Sequence, residues 1–270
     1  MFNTMYLIGG FPGTGKTELS SYLSALNGAT LLDKDTMARP LVEKLTELLN
    51  GDPHDVESQQ YVKNIRPLEY DAVMSTAWSN LNTGKDVICA APFLKEMLNK
   101  EWMAALRSKC VINNVLLKTI WVTAECNVLY SRLSERNAAR DNWKLKNWDI
   151  YEERVKRAVS PEADWIVDNS NASINQLAIE IDRLIKESYQ YDIAKLQAIH
   201  MSGNINPAAH LLINHNPTQD DTLDSSMEDP YGDMFFDEVE ETDTDFDIYM
   251  PDGSLHVKPI PQIPFIRGSH

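Results

Sequence analysis

Two short segments of this chain carry side chains of the types and spacing needed for phosphate chemistry. The first reads Gly10-Phe11-Pro12-Gly13-Thr14-Gly15-Lys16-Thr17. In the pattern G-x-x-x-x-G-K-[ST], glycines let consecutive backbone N–H groups turn inward on an anion where a Cβ would obstruct them. A helix starting at the lysine then aims its positive end at the same anion. Gly10, Gly13, Thr14 and Gly15 would shape such a loop, Lys16 would bridge the β- and γ-phosphates of a nucleotide, and the Thr17 hydroxyl would hold Mg²⁺.

The second segment is Asp33-Lys34-Asp35-Thr36-Met37-Ala38-Arg39. In a sheet whose first strand carries the phosphate loop, the C-terminal end of the neighbouring strand opens on the same crevice. Asp35 is read as the base that orients an acceptor hydroxyl and takes its proton, with Asp33 as a Mg²⁺ or positioning partner. The competing reading makes Asp35 only the cap of a helix beginning near Thr36. Further along, Arg132, Arg136 and Arg140 recur every four residues on a predicted helix. Their guanidinium groups either close over a nucleotide as a lid or pair with Glu135 and Asp141 on a solvated face. Glu69 and Tyr70 either line an acceptor pocket or belong to a capped helix start. Trp143, Trp148 and Tyr151, interleaved with Lys144 and Lys146, either stack on bases or pack within the helices that carry them.

The elements that must position these groups are legible as alternating apolar runs and helical patterns, the signature of parallel strands with helical crossovers. Strands are predicted at 5–9, 30–32, 86–90, 116–123 and 164–168. Helices are predicted at 16–26, 37–50, 68–82, 94–107, 126–138, 149–158 and 173–189. The fold class is therefore α/β, a doubly wound parallel sheet of about five strands with a C-terminal acidic extension. Three domain-level segments follow: 1–198 as the body, 199–266 as an extension rich in Asp and Pro, and Arg267 to His270, which resembles an expression-tag remnant.

Charge supports the division. Residues 1–200 hold 26 acidic and 23 basic side chains, whereas 201–270 hold 14 acidic and 2 basic, so most of the net charge of −15 belongs to the extension. Such composition is either solvated or, through Phe235, Phe236, Phe246, Tyr249 and Phe265, able to dock on a body or a partner. A small hairpin is predicted across 246–258, followed by a polyproline-like stretch from Pro259. Asp243, Asp245 and Asp247 lack the glycine and closing glutamate of a calcium loop. The histidines show no metal-ligand spacing. No run approaches about 20 apolar residues, which argues against a membrane span. Three scattered cysteines suit reduced thiols and a cytoplasmic location.

The phosphate loop, Asp33-Lys34-Asp35, the arginine-rich segment ending Arg140-Asp141 and the strand Asp164-Trp-Ile-Val-Asp168-Asn169-Ser170 together resemble the P-loop kinases grouped with polynucleotide kinase, zeta toxin and chloramphenicol phosphotransferase. The resemblance covers about residues 1–190. It implies ATP and Mg²⁺ as donor and metal, Lys16 and Thr17 on the phosphates and metal, Asp35 as base, Arg39 near the acceptor, and Arg132, Arg136 or Arg140 as lid arginines. Strand three departs from a pattern common in phosphate-loop enzymes by ending Cys89-Ala90-Ala91-Pro92, without the usual metal-positioning Asp. Asp33 or Asp35 is expected to supply that contact. The polynucleotide-kinase branch, which includes phage-type kinases of hydroxymethylated pyrimidines in DNA, implies phosphoryl transfer to a hydroxyl on a nucleotide or nucleic acid. The other two relatives imply a small metabolite, antibiotic or nucleotide-sugar acceptor. A nucleotide-binding regulator is a third class. The acidic extension is expected to compete with an anionic substrate as an autoinhibitory segment, or to bind a partner protein.

Overall fold

A computed structural model describes residues 2–171 and 173–203. Five parallel strands form one sheet: β1 (Asn3–Gly9), β2 (Thr30–Asp33), β3 (Val87–Ala90), β4 (Val115–Thr123) and β5 (Trp165–Asp168), in the order β2-β3-β1-β4-β5. Nine α-helices are described: α1 (Lys16–Asn27), α2 (Lys34–Asn50), α3 (Arg66–Asn82), α4 (Leu94–Leu98), α5 (Lys100–Ile112), α6 (Cys126–Arg136), α7 (Asn142–Lys146), α8 (Trp148–Arg157) and α9 (Ile174–Ser202). A π-turn, Tyr61–Ile65, leads into α3, and a short 3₁₀ turn, Ala139–Asp141, precedes α7.

The central strand explains the double winding. Alternate residues of a strand face opposite sides. Met5 and Leu7 of β1 enter a core with α3, α4 and α5, while Tyr6 and Ile8 enter a second core with α1 and α9. A strand covered on both faces reads as an unbroken apolar run, which is why β1 is so plain in the sequence.

Several helix borders differ from the sequence expectation, each for a local reason. α2 starts at Lys34 because Asp33, not Asp35, is its N-cap and accepts a hydrogen bond from the Thr36 N–H at 2.9 Å. The predicted helix at 94–107 is two helices, broken at Asn99, whose side chain caps α5 through the Trp102 N–H. α9 runs through residue 198 to Ser202, where Gly203 closes it in a left-handed conformation. The hairpin, polyproline-like and acidic segments read beyond that point lie outside the described residues.

Strand order bears on the site. β3 lies between β1 and β2, so the ends of β1 and β2 face one crevice across an intervening strand rather than as neighbours. Small side chains at the end of β3, Ala90 and Ala91, line that crevice and leave the space open.

Candidate active site

The loop after β1 has the backbone its glycines permit. Gly10, Gly13 and Gly15 all have positive φ. A Cβ at Gly10 would stand 2.2 Å from the Val122 carbonyl oxygen, and one at Gly15 would stand 2.3 Å from Asn169 Nδ2. Both positions are closed to any other residue. The loop is clamped from below: Asn169 Nδ2 donates to the Thr14 carbonyl at 2.8 Å, and Arg132 donates to the carbonyls of Asn169 (2.8 Å) and Gly13 (3.4 Å). Arg132 thus ties the loop to the end of β5. The role of Asn169 was unreadable in the sequence because its target is a backbone carbonyl 155 positions away.

Lys16 folds back on its own loop, donating to the Phe11 carbonyl at 2.8 Å. Burial lowers its pKa to about 7, opposed by the nearby Asp35 carboxylate. Thr17 Oγ1 donates to Asp33 Oδ2 at 3.0 Å, so the Asp33 carboxylate divides between capping α2 and meeting the phosphate-loop hydroxyl. Both atoms are hard oxygen donors of the kind Mg²⁺ takes, and Mg²⁺ commonly binds through few protein groups. Among the described residues no cluster of three or more His, Cys, Asp or Glu side chains is placed to hold a metal.

Asp35 is left free of capping duty and is ringed by cations. Lys34 Nζ lies 3.2 Å from Oδ1, and Arg140 and Arg39 lie 3.1 and 3.8 Å from Oδ2. Burial would raise its pKa, but Lys34 and Arg140 outweigh that and hold the carboxyl below its usual range. Behind Lys34 stands Glu69, buried, accepting from the ammonium at 2.6 Å and from the Tyr61 hydroxyl. Glu69 is therefore committed to the wall that supports Lys34 and does not line the main cleft. Arg66 stacks on Tyr70 with 4.2 Å to the ring centroid and forks onto Glu96 at 2.8 and 2.9 Å.

The remaining arginines sit on a cap over the cleft, built by the end of α6, the 3₁₀ turn, α7 and α8. Arg136 pairs with the buried Asp141, Nε to Oδ2 2.9 Å, and Arg140 crosses to Asp35. Lys144 Nζ and Arg154 cross to Glu57, at 2.6 and 3.7 Å. Of the expected pairings, Arg136 with Asp141 is present, whereas Arg132 meets backbone carbonyls, Arg140 stands beyond α6 and crosses to Asp35, and Glu135 accepts from the Ser131 hydroxyl. Trp148 packs on Tyr130 and Tyr151, Trp143 lies under Arg154, and Tyr151 donates to the Pro12 carbonyl at 3.2 Å. These aromatics hold the cap together and seat it on the phosphate loop.

The loop, Asp33, Asp35 and the arginines and lysine of the cap border one cavity of about 850 Å³, Glu69 and Asn169 stand behind its walls, and ten basic side chains against six acidic ones line it. No helix of the described residues is long and apolar enough to cross a membrane.

A protein-family model described as AAA domain, AAA_33, matches residues 5–158. Three solved structures are similar to this chain over part of its length. The APS kinase of Mycobacterium tuberculosis, in complex with AMPPNP and APS, is 15% identical, with 68% of this chain and 98% of that one covered and a TM-score of 0.45. The Deinococcus radiodurans tunicamycin resistance protein is 19% identical, with 68% and 95% covered and a TM-score of 0.45. Shikimate kinase from Aquifex aeolicus is 19% identical, with 69% and 98% covered and a TM-score of 0.42. No curated protein matches this chain in sequence.

Proposed function

The chain belongs to the AAA_33 family of AAA domains, and from that premise we propose that it is an ATP-dependent kinase transferring the γ-phosphoryl group to a hydroxyl of a phosphate-bearing acceptor, a nucleotide or the end of a nucleic acid. One observation carries the reading: a phosphate loop and a carboxylate freed from capping face each other across a single cleft. A nucleotide-binding switch has no need of the second group.

The residues divide the work by position. Backbone N–H groups of the loop and the Lys16 ammonium hold the triphosphate. Thr17 and Asp33 are the oxygen donors that would hold Mg²⁺, which when bound neutralises phosphate charge. Asp35 orients the acceptor hydroxyl and accepts its proton late, so a low pKa is no obstacle in a loose transition state. Arg136 and Arg140 stand where charge spreads over the transferred group. The excess of cations lining the cleft, in a chain of net charge −15, supports an anionic acceptor. The cavity volume of about 850 Å³ falls in the range of small-molecule sites and supports a second, narrower reading in which that acceptor is a small metabolite.

Labelled ATP incubated with oligonucleotides, mononucleotides and small alcohols separates the two readings. Label in small uncharged alcohols alone would remove the nucleotide reading. Asp35→Asn should lower transfer by roughly 10²–10⁴-fold while MgATP still binds; unchanged transfer would show that Asp35 is not the base.

A further inference from the structure

We propose that Lys144 and Arg154 form a phosphate-binding subsite for the acceptor, and that the Glu57 carboxylate occupies it as an internal stand-in while the cleft is empty. The inference rests on the kinase reading above and specifies the anionic group of its acceptor.

Glu57 lies in the irregular stretch between α2 and the π-turn, and its two oxygens are spread over two cations from the opposite side of the cleft. Oε1 meets Lys144 Nζ at 2.6 Å and Oε2 meets Arg154 at 3.7 Å. The Lys144 side chain is only 8% exposed, and an ammonium so enclosed needs an anion at that place at all times. A carboxylate and a phosphate offer the same acceptor oxygens, and a planar guanidinium beside an ammonium suits either. Arg154 is held in position by the Trp143 ring, 4.7 Å from its centroid, so the guanidinium is fixed before any ligand arrives.

Position points to the acceptor rather than the donor. Arg140, four residues before Lys144, is the side chain that reaches Asp35, and Lys144 Nζ lies 3.4 Å from the Arg140 carbonyl. Arg140 stands in the 3₁₀ turn and Lys144 in the helix that follows it, and both line the cavity that holds Asp35. An acceptor with its hydroxyl at Asp35 and its phosphate at Lys144 and Arg154 would lie within that one cavity. The Glu57 and Ser58 N–H groups donate to the Asp55 side chain, a turn closed within the loop, and the neighbouring Val56 packs against Ala38, Val42, Tyr61 and Ile65, so the carboxylate can leave its cations by turning about its own side-chain bonds.

The test blocks the phosphate loop of the full chain with saturating MgAMPPNP and titrates inorganic phosphate by calorimetry. The wild type should bind phosphate weakly. Glu57→Gln, which removes the competing charge but keeps the shape, should bind it about tenfold more tightly. Glu135→Gln, an equal charge change elsewhere on the cleft wall, should leave binding within twofold of wild type. Arg154→Gln, and Lys144→Gln where it folds, should abolish the gain when combined with Glu57→Gln. Equal affinity in the wild type and Glu57→Gln, or an equal gain in Glu135→Gln, would overturn the subsite. Failure of MgAMPPNP itself to bind would instead strike the kinase reading, and phosphate titrated without it would still decide the subsite.

Discussion

At the residue scale the phosphate-loop lysine has a measurable consequence. A pKa near 7 means that Lys16 is partly neutral in the empty loop at physiological pH, because burial removes water that the Phe11 carbonyl only partly replaces. A triphosphate stabilises the ammonium and raises that pKa, so the bound state holds more protons than the free state wherever the pH lies between the two values. MgATP affinity should therefore fall as pH rises from about 7 to about 9, by up to tenfold per unit. Calorimetry at pH 8 in buffers of different ionisation enthalpy should report proton uptake on binding, and Lys16→Met should lose both the uptake and the pH dependence. Binding without proton uptake at pH 8 would mean that the lysine is charged beforehand. The paired aspartates show how far such chemistry is readable from types and spacing. Type and spacing single out both as candidates, but the assignment of the cap depended on which carboxylate the Thr36 N–H meets, and spacing alone does not specify that.

Elements were legible where burial imposes a pattern and obscure where a single side chain decides. β1 and β4 announce themselves because helices cover both faces of β1 and most of β4 is buried. The break at Asn99 comes from one side chain capping the Trp102 N–H, whereas the placing of β3 between β1 and β2 arises from contacts distant in sequence. The same applies to Glu69, which sequence spacing offered as an acceptor contact and whose geometry makes it the support of α2 on α3. Lys34 is held protonated although burial opposes it, because Tyr61, Asp35 and Glu69 surround it. Removing one member of a buried ion pair strands the other, at a cost of about 3–5 kcal/mol. Glu69→Ala should lose roughly that much in urea unfolding, whereas the double replacement Lys34→Met with Glu69→Leu should recover most of it. A loss below about 1 kcal/mol for Glu69→Ala, typical of exposed pairs, would show that water reaches Lys34 and that the α2–α3 seam is open.

At the scale of all the described residues, ion pairs span the cleft. Arg140 and the pair Lys144 and Arg154 join the cap to Asp35 and Glu57 on the far wall, so the cap is fastened by ion pairs of unequal burial. Arg140 and Asp35 are 23% and 37% exposed, against 8% and 19% for Lys144 and Glu57. Salt screens exposed pairs first, since the Debye length shrinks from about 10 Å at 0.1 M to about 3 Å at 1 M. The Arg140 end of the cap should therefore loosen before the Lys144 end. Trypsin can read this, because Arg136 and Arg140 lie in the loosened stretch while residues 201–270 offer the protease only Lys258 and Arg267. In the absence of nucleotide, cleavage after Arg136 or Arg140 should accelerate several-fold between about 50 mM and about 500 mM NaCl, with cleavage after Lys144 rising less. MgATP should suppress cleavage after Arg136 and Arg140, because its phosphates become counter-ions to that end of the cap. Cleavage that is indifferent to salt, or that rises when MgATP is added, would mean that the cross-cleft pairs do not hold the cap and that its packing through Tyr151 and Trp148 does so alone.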